Sequence, residues 1–197
     1  MPYSIVAIGT SWGGLAALTT LLGGLPAGFG IPVVVVQHRS NDSERLLSQL
    51  LQDATDMRVS EIEDKDELVP GKVLIAPANY HVLIEDGYTS LTVEEPVRFS
   101  RPSIDVMLSS AADTYGSAAV GVVLTGANED GARGLAHIVK RGGLALVQDP
   151  KTAEIPIMPL AAIRAVPTAE VLSLDALGAR LIEIGAQHAN VGAGRAQ

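Results

Sequence analysis

The chain has 197 residues, with 14 Lys and Arg against 22 Asp and Glu, and 47% of its residues are hydrophobic. The resulting net charge of −8 (14 minus 22) argues against broad electrostatic binding to nucleic acid or anionic lipid. The absence of cysteine excludes a disulfide framework, an iron–sulfur cluster and a thiolate nucleophile. Since domains commonly run to about 100–200 residues, we expect one domain over 1–186 and a flexible tail, rich in Ala and Gly, over 187–197.

The opening of the chain is free of charge, because the first charged side chain is Arg39. A membrane-spanning helix needs about 20 predominantly apolar residues, and glycine and proline interrupt this stretch so often that only residues 3–25 come near that requirement. A secretory signal would also begin with lysine or arginine, and none is present here. We therefore expect no membrane insertion and a cytoplasmic protein.

Short runs rich in Val and Ile alternate with segments of helical period, a pattern typical of repeated βα units. Strands are predicted at 4–8, 32–37, 73–76, 119–125 and 144–148. Helices are predicted at 13–22, 43–54, 103–114, 130–141, 159–165 and 175–184. The pattern predicts an α/β class, with a doubly wound, mostly parallel sheet flanked by helices.

One segment departs from the βα pattern. Two short alternating runs, 82–84 and 91–93, lie on either side of Asp86-Gly87. Asp-Gly between such runs is a strong hairpin signal. We expect this antiparallel hairpin at one edge of the sheet.

A candidate nucleophile lies directly after the first predicted strand. Gly9-Thr10-Ser11-Trp12-Gly13 matches the G-x-S-x-G elbow, in which a serine occupies a sharp strand-to-helix turn with its hydroxyl exposed. Backbone N–H groups at the start of the following helix point to the same place and could stabilise an oxyanion. The alternative is a phosphate- or nucleotide-binding turn over Gly9–Gly14, although no acidic residue follows the second strand to hold a ribose.

Two further groups complete a candidate triad. His38 ends the second strong strand, and Asp130 begins a helix after the buried strand that ends near Thr125. A hydroxyl nucleophile needs a base, and the base needs an orienting acceptor. If the first two strands are neighbours, Ser11 and His38 emerge at the same edge. The four histidines are isolated in sequence, so we expect no metal site and no cofactor.

These motifs together resemble the catalytic domain of the CheB chemotaxis methylesterase family. The resemblance covers roughly residues 4–184 and rests on five matching segments: 7–14, 36–38, 71–77, 101–105 and 124–132. It implies hydrolysis of γ-glutamyl methyl esters on the cytoplasmic helices of chemoreceptors, with deamidation of receptor glutamines in some members. It also places the nucleophile on Ser11, the base on His38 and the orienting aspartate on Asp130.

The resemblance also implies four oxyanion or substrate-lining residues, for which the matching motifs are less specific: Trp12, Gly13, Ala127 and Arg101. Many members have threonine at the position of Trp12, and they often have Met-Gly where this chain has Ala127-Asn128. Typical members also carry a phosphorylatable receiver domain ahead of the catalytic one. Here the first strand begins near Met1, so we expect a stand-alone domain or a fragment, with a separate phosphorelay regulator as its partner. A catalytically silent receptor-docking domain is the remaining alternative.

Overall fold

The structure, a computed structural model, describes residues 3–38 and 46–193. Its strands are β1 (Ile5–Thr10), β2 (Val33–Gln37), β3 (Arg58–Glu61), β4 (Lys72–Ile75), β5 (His81–Ile84), β6 (Thr89–Thr92), β7 (Ala119–Val123), β8 (Leu144–Gln148) and β9 (Glu170–Leu172). Its helices are α1 (Gly14–Gly23), α2 (Leu46–Gln52), α3 (Ile104–Tyr115), α4 (Ala132–Lys140), α5 (Ile157–Ala165) and α6 (Leu174–Ala193).

The main sheet has seven strands in the order β3-β4-β2-β1-β7-β8-β9, and all of its neighbouring pairs are parallel. The central strands β1, β2 and β7 are buried along almost their whole length. Such strands must be apolar on both faces, because helices cover each side. The doubly wound α/β fold is therefore confirmed, and the short edge strands β3 and β9 extend it beyond the predicted set.

Each face of the sheet has its own hydrophobic layer. One layer joins the sheet to α3, α4 and α5 and contains the buried side chains Ile104, Met107, Leu108, Leu135, Ile138 and Met158. The other joins it to α1, α2 and α6 and contains Leu18, Leu21, Leu22, Leu51, Leu177 and Leu181. The strands thus end at a common edge with helices on both sides, which is where α/β proteins gather ligand-binding groups.

The predicted hairpin is present as β5 and β6, but these strands form a separate two-stranded sheet and do not extend the edge of the main one. Side chains of α3 bind the free edge of β5. The N–H of Ile84 donates to Ser110 Oγ at 2.9 Å, and Thr114 Oγ1 donates to the carbonyl of Ile84 at 2.8 Å. Because α3 satisfies these backbone groups, the hairpin packs on a helix instead of pairing with a strand.

Two predicted segments include residues that the structure does not describe. The helix predicted from residue 43 begins at Leu46 as described, and its earlier residues lie outside the described ranges. Residues 187–193 of the predicted tail continue α6, and residues 194–197 lie outside the described ranges. Within the described part of the chain, no helix is long and apolar enough to cross a membrane.

Candidate active site

Ser11 lies in a tight turn between β1 and α1. Its N–H donates to the carbonyl of Thr125 at 3.0 Å, and its own carbonyl accepts from Gly14 N–H at 2.9 Å and from Gln37 Nε2 at 2.7 Å. Gly13 caps α1 with φ of 77°, a left-handed conformation that glycine adopts without steric cost. The turn therefore fixes the Ser11 backbone on three sides and requires glycine two residues after the serine.

His38 leaves the neighbouring strand at the same level. Thr10 pairs with Gln37 in the β1–β2 register, and His38 N–H donates to the carbonyl of Thr10 at 3.0 Å. Adjacent strands lie about 4.8 Å apart. Ser11 and His38 consequently line the same cavity, which has a volume of about 750 Å³. The expectation that the first two strands are neighbours is confirmed.

Asp130 is fully buried in the segment between β7 and α4. Its Oδ2 accepts from His38 Nε2 at 2.8 Å and from Ile104 N–H at 2.7 Å. Its Oδ1 accepts from Ser103 Oγ, Asp105 N–H and Gly131 N–H, each at 3.0 Å. The carboxylate therefore lies at the N-terminus of α3, where backbone N–H groups and the helix dipole favour negative charge.

The pKa of Asp130 lies below its ordinary value despite the burial. Burial opposes the charged form, but the hydrogen bond from His38 and those from the N–H groups of Asp105 and Ile104 outweigh it. Asp130 is therefore ionised at neutral pH and can only accept hydrogen bonds. It follows that the Nε2 of His38 carries a proton and donates.

Asp130 and Asp105 cap each other's helices. While Asp130 accepts from the first N–H groups of α3, Asp105 in α3 accepts from Gly131 N–H at 3.0 Å and Gly134 N–H at 2.8 Å at the start of α4. Its other oxygen, Oδ2, pairs with Arg133 Nε at 3.0 Å. Each carboxylate thus satisfies N–H groups that a helix leaves without a partner in its first turn, and the exchange fixes the position of Asp130.

The candidate triad makes only one of its two hydrogen bonds among the described residues. No hydrogen bond joins Ser11 Oγ to the His38 ring, both of which belong to the described residues. The other ring nitrogen of His38, Nδ1, lies 3.4 Å from Asn128 Nδ2 instead. Catalytic hydrogen bonds are often long or unmade before substrate binds, so the geometry keeps Ser11 as the candidate nucleophile.

The candidate oxyanion residues fall into two groups. Trp12 and Gly13 line the cavity with Ser11. In sequence they lie between Ser11, whose N–H donates to the Thr125 carbonyl, and Gly14, whose N–H donates to the Ser11 carbonyl. The indole of Trp12 is 65% exposed, and its N–H donates to Glu154 Oε1 at 3.0 Å. Ala127 is exposed on its loop and is not among the described residues that line this cavity.

Arg101 lies on the other side of His38. Its Nη1 donates to the carbonyls of Val93 and Glu94 at 3.0 and 3.1 Å. The residue also lines a cavity of about 280 Å³ that reaches His38. Arg101 therefore holds the chain after β6 in place and borders the site.

His81, which the sequence left without a role, is buried and joins two elements. Its Nδ1 accepts from Ser103 N–H at 3.1 Å, and its Nε2 lies 3.2 Å from the carbonyl of Glu95. Across the described residues, no cluster of three or more His, Asp or Glu side chains has the arrangement of a metal site.

Four contributors to the site had no assigned role in the sequence. Gln37 binds the Ser11 carbonyl, Ser103 binds Asp130, Asn128 reaches His38 and Glu154 holds the Trp12 indole. Gln37 and Asn128 lie inside recognisable motifs and could have been singled out by position. Glu154 belongs to no motif, since only the tertiary fold brings it 142 positions back to Trp12.

This arrangement defines a class of protein: an α/β fold that presents serine, histidine and an ionised aspartate at one edge of a parallel sheet, the residue set of serine hydrolases. The comparisons with known proteins identify the family. A family model described as CheB methylesterase matches residues 6–181. The chain belongs to the CheB methylesterase family.

Its relatives include proteins of two lengths. A Leptospira interrogans protein named as a protein-glutamate methylesterase/protein-glutamine glutaminase is 46% identical over 93% of this chain and 96% of the relative. The protein-glutamate methylesterase FrzG of Myxococcus xanthus is 38% identical over 92% of this chain, but over only 55% of its own length. The solved structure of the Thermotoga maritima CheB methylesterase catalytic domain matches with a TM-score of 0.89 and 31% identity, over 93% of this chain and all of that one.

Proposed function

We propose that the protein is a serine hydrolase that removes methyl groups from glutamate γ-methyl esters on the cytoplasmic helices of chemoreceptors and releases methanol. The bond from His38 Nε2 to the buried, ionised Asp130 carries this proposal, because it leaves Nδ1 of the same ring as a base. The relatives are named for ester and amide hydrolysis. Their names support this function and not the phosphate-binding alternative.

The mechanism follows from the tautomer. With Nε2–H directed to Asp130, His38 Nδ1 takes the proton of the Ser11 hydroxyl as Oγ attacks the ester carbonyl. The same nitrogen then protonates the departing methoxide, and methanol leaves an acyl-enzyme. Water then gives a proton to Nδ1 as its oxygen attacks the acyl carbon. Nδ1 returns that proton to Ser11 Oγ as the acyl–oxygen bond breaks, which releases glutamate and regenerates the Ser11 hydroxyl. The charge of Asp130 stabilises the imidazolium formed in each half of the reaction.

The Ser11 turn supplies the remaining requirement, stabilisation of the oxyanion. The N–H groups of Trp12 and Gly13 precede α1 at the end where the helix dipole is positive. Loss of one such donor typically lowers the rate about 100–1000-fold. Both groups belong to the backbone, so they persist when the Trp12 side chain is changed.

The same site could act on receptor glutamines, since an amide also passes through a tetrahedral oxyanion. The glutaminase in the name of the Leptospira interrogans relative supports this second activity.

We further propose that residues 1–186 form one catalytic domain. The protein works in the cytoplasm, where its substrate helices lie, and a separate phosphorelay protein controls it.

The deciding experiment measures methanol release from membranes that carry methylated receptors. Ser11→Ala should lower the rate at least about 10⁴-fold, because the residual catalysis would come from binding and the oxyanion donors alone. Ser109→Ala on α3 serves as the matched control and should keep the wild-type rate. Circular dichroism shows whether both variants fold. A Ser11→Ala protein with undiminished turnover would reject Ser11 as the nucleophile.

A further inference from the structure

Asn128 has its amide orientation fixed by the backbone. Its Oδ1 accepts from the N–H of Asp130 at 3.0 Å. This bond requires the oxygen to face Asp130, so the NH₂ group must point the other way. There it meets His38, with 3.4 Å between Asn128 Nδ2 and His38 Nδ1.

The two nitrogens of His38 therefore have opposite and independently determined roles. Asp130 is ionised and only accepts, so Nε2 donates. The amide of Asn128 can only donate on its nitrogen side, so Nδ1 accepts. Both contacts select the same neutral tautomer, and Nδ1 is also the only ring nitrogen left to receive the proton of Ser11.

We propose that Asn128 is a positioning residue for His38: in the resting protein its amide donates to Nδ1 and holds the ring as a neutral base, and it gives up this contact to the Ser11 hydroxyl when substrate binds. This inference rests on the proposed function of the site. It assigns a role to a residue for which the sequence motifs gave none.

The length of the contact suits a bond that is given up during turnover. Hydrogen bonds from N–H groups are commonly about 2.9–3.0 Å long, and the Asn128 contact is 3.4 Å. The Ser11 hydroxyl would replace one donor by another at the same lone pair. Because members with glycine at this position have no side-chain donor, the contact is a property of this chain and of others with an amide here.

The charged groups around His38 determine what a pH profile would report. Asp130 bonds to Nε2, Glu154 lines the cavity on the Ser11 side, and Arg101 lines the cavity on the opposite side. Asn79 also borders that second cavity. An aspartate introduced there adds the same charge near His38 without the amide contact that Asn128 makes.

Asn128→Asp tests the donor directly, because an aspartate oxygen can still accept from Asp130 N–H. The new carboxylate would face Nδ1 with an acceptor and favour the protonated ring. We expect the acid limb of kcat/KM for methanol release to move up by about one pH unit, so that the loss reaches about tenfold at pH values below the wild-type limb and is smaller above it. The control Asn79→Asp should move the limb by less.

Asn128→Gly removes the side chain altogether. We expect its acid limb to move less than that of Asn128→Asp and its plateau rate to fall, but by less than about tenfold, since the ring loses a contact that orients it while Nδ1 stays open to Ser11. The proposal would be overturned by a wild-type profile in Asn128→Asp. A loss of more than about tenfold in the Asn128→Gly plateau would also overturn it, because Asn128 would then serve the backbone and not the ring.

Nitrogen-15 NMR of the His38 ring tests the contact without any turnover. When its ring is neutral, the wild type should show a protonated Nε2 and a hydrogen-bonded, unprotonated Nδ1, and Asn128→Gly should shift the Nδ1 signal toward that of a free acceptor. His38→Gln assigns the signals. An unchanged Nδ1 signal in Asn128→Gly would reject the contact even if the wild type hydrolyses esters. A changed signal in a protein without turnover would reject only the proposed function.

Discussion

Asp130→Asn keeps the size of the side chain and removes its charge, at the position where five hydrogen bonds meet. Both carboxylate oxygens now accept only, Oδ2 from two donors and Oδ1 from three. An amide NH₂ at the Oδ2 position would face the N–H of Ile104 and the Nε2–H of His38. The His38 conflict is relieved when the ring changes tautomer and its Nε2 accepts from the new NH₂ group.

That change of tautomer sets the expected loss of activity. With a proton on Nδ1, His38 cannot take the proton of Ser11, and a carboxylate-to-amide change of this kind in a serine protease costs about 10⁴-fold in kcat. The N–H of Ile104 still lacks an acceptor. A buried N–H without a partner costs about 1–3 kcal/mol, so the free energy of unfolding should fall by that amount at neutral pH.

Acid should remove this difference in stability. The pKa of Asp130 is lowered in the folded protein and about 3.9 in an unfolded chain, so its charge stabilises the fold fully above the unfolded value. The contribution is lost as the pH falls through the lower, folded pKa. The wild type should therefore approach Asp130→Asn in stability as the pH falls below about 4, because groups that do not contact residue 130 contribute equally to both proteins.

Methanol release and urea denaturation at several pH values measure both effects on the same two proteins. A variant that keeps more than about a tenth of the wild-type kcat would refute the assignment of Asp130 as the orienting group. A stability difference that stays constant from neutral pH into acid would refute the account of its charge.

Two further substitutions separate the scaffold from the chemistry. Asp105→Ala leaves the N–H of Gly134 without its 2.8 Å acceptor, while the N–H of Gly131 still donates to Asp130. We expect the free energy of unfolding, measured by urea denaturation, to fall by about 1–3 kcal/mol. Wild-type stability would show that the capping exchange is unimportant. Trp12→Phe removes the hydrogen bond to Glu154 but keeps the backbone N–H of residue 12. We therefore expect kcat to change by less than about threefold while KM for receptor changes. A fall in kcat of about 100-fold would mean that the indole itself takes part in the reaction.

Much of the fold could be predicted because it depends on local pattern. Runs such as the four valines at 33–36 are apolar on both faces, which predicts central parallel strands, and the structure has them there. The hairpin was equally clear from Asp86-Gly87. Its attachment was not, because the partner of β5 is α3 through Ser110 and Thr114, and no feature of the β5 sequence indicates a helical partner.

The candidate site could likewise be predicted only in part. The sequence by itself determined which chemical groups follow the strands: a serine in a glycine-flanked turn and a histidine, each at a strand end, and an aspartate at the start of a helix. Only the tertiary structure decided how they are held. The protonation state of a buried carboxylate depends on every hydrogen-bond donor around it. The donors to Asp130 belong to residues 38, 103, 104, 105 and 131. Most of these contacts are distant in sequence, so no local pattern could specify the charge of Asp130, the tautomer of His38 or the amide of Asn128 beside it.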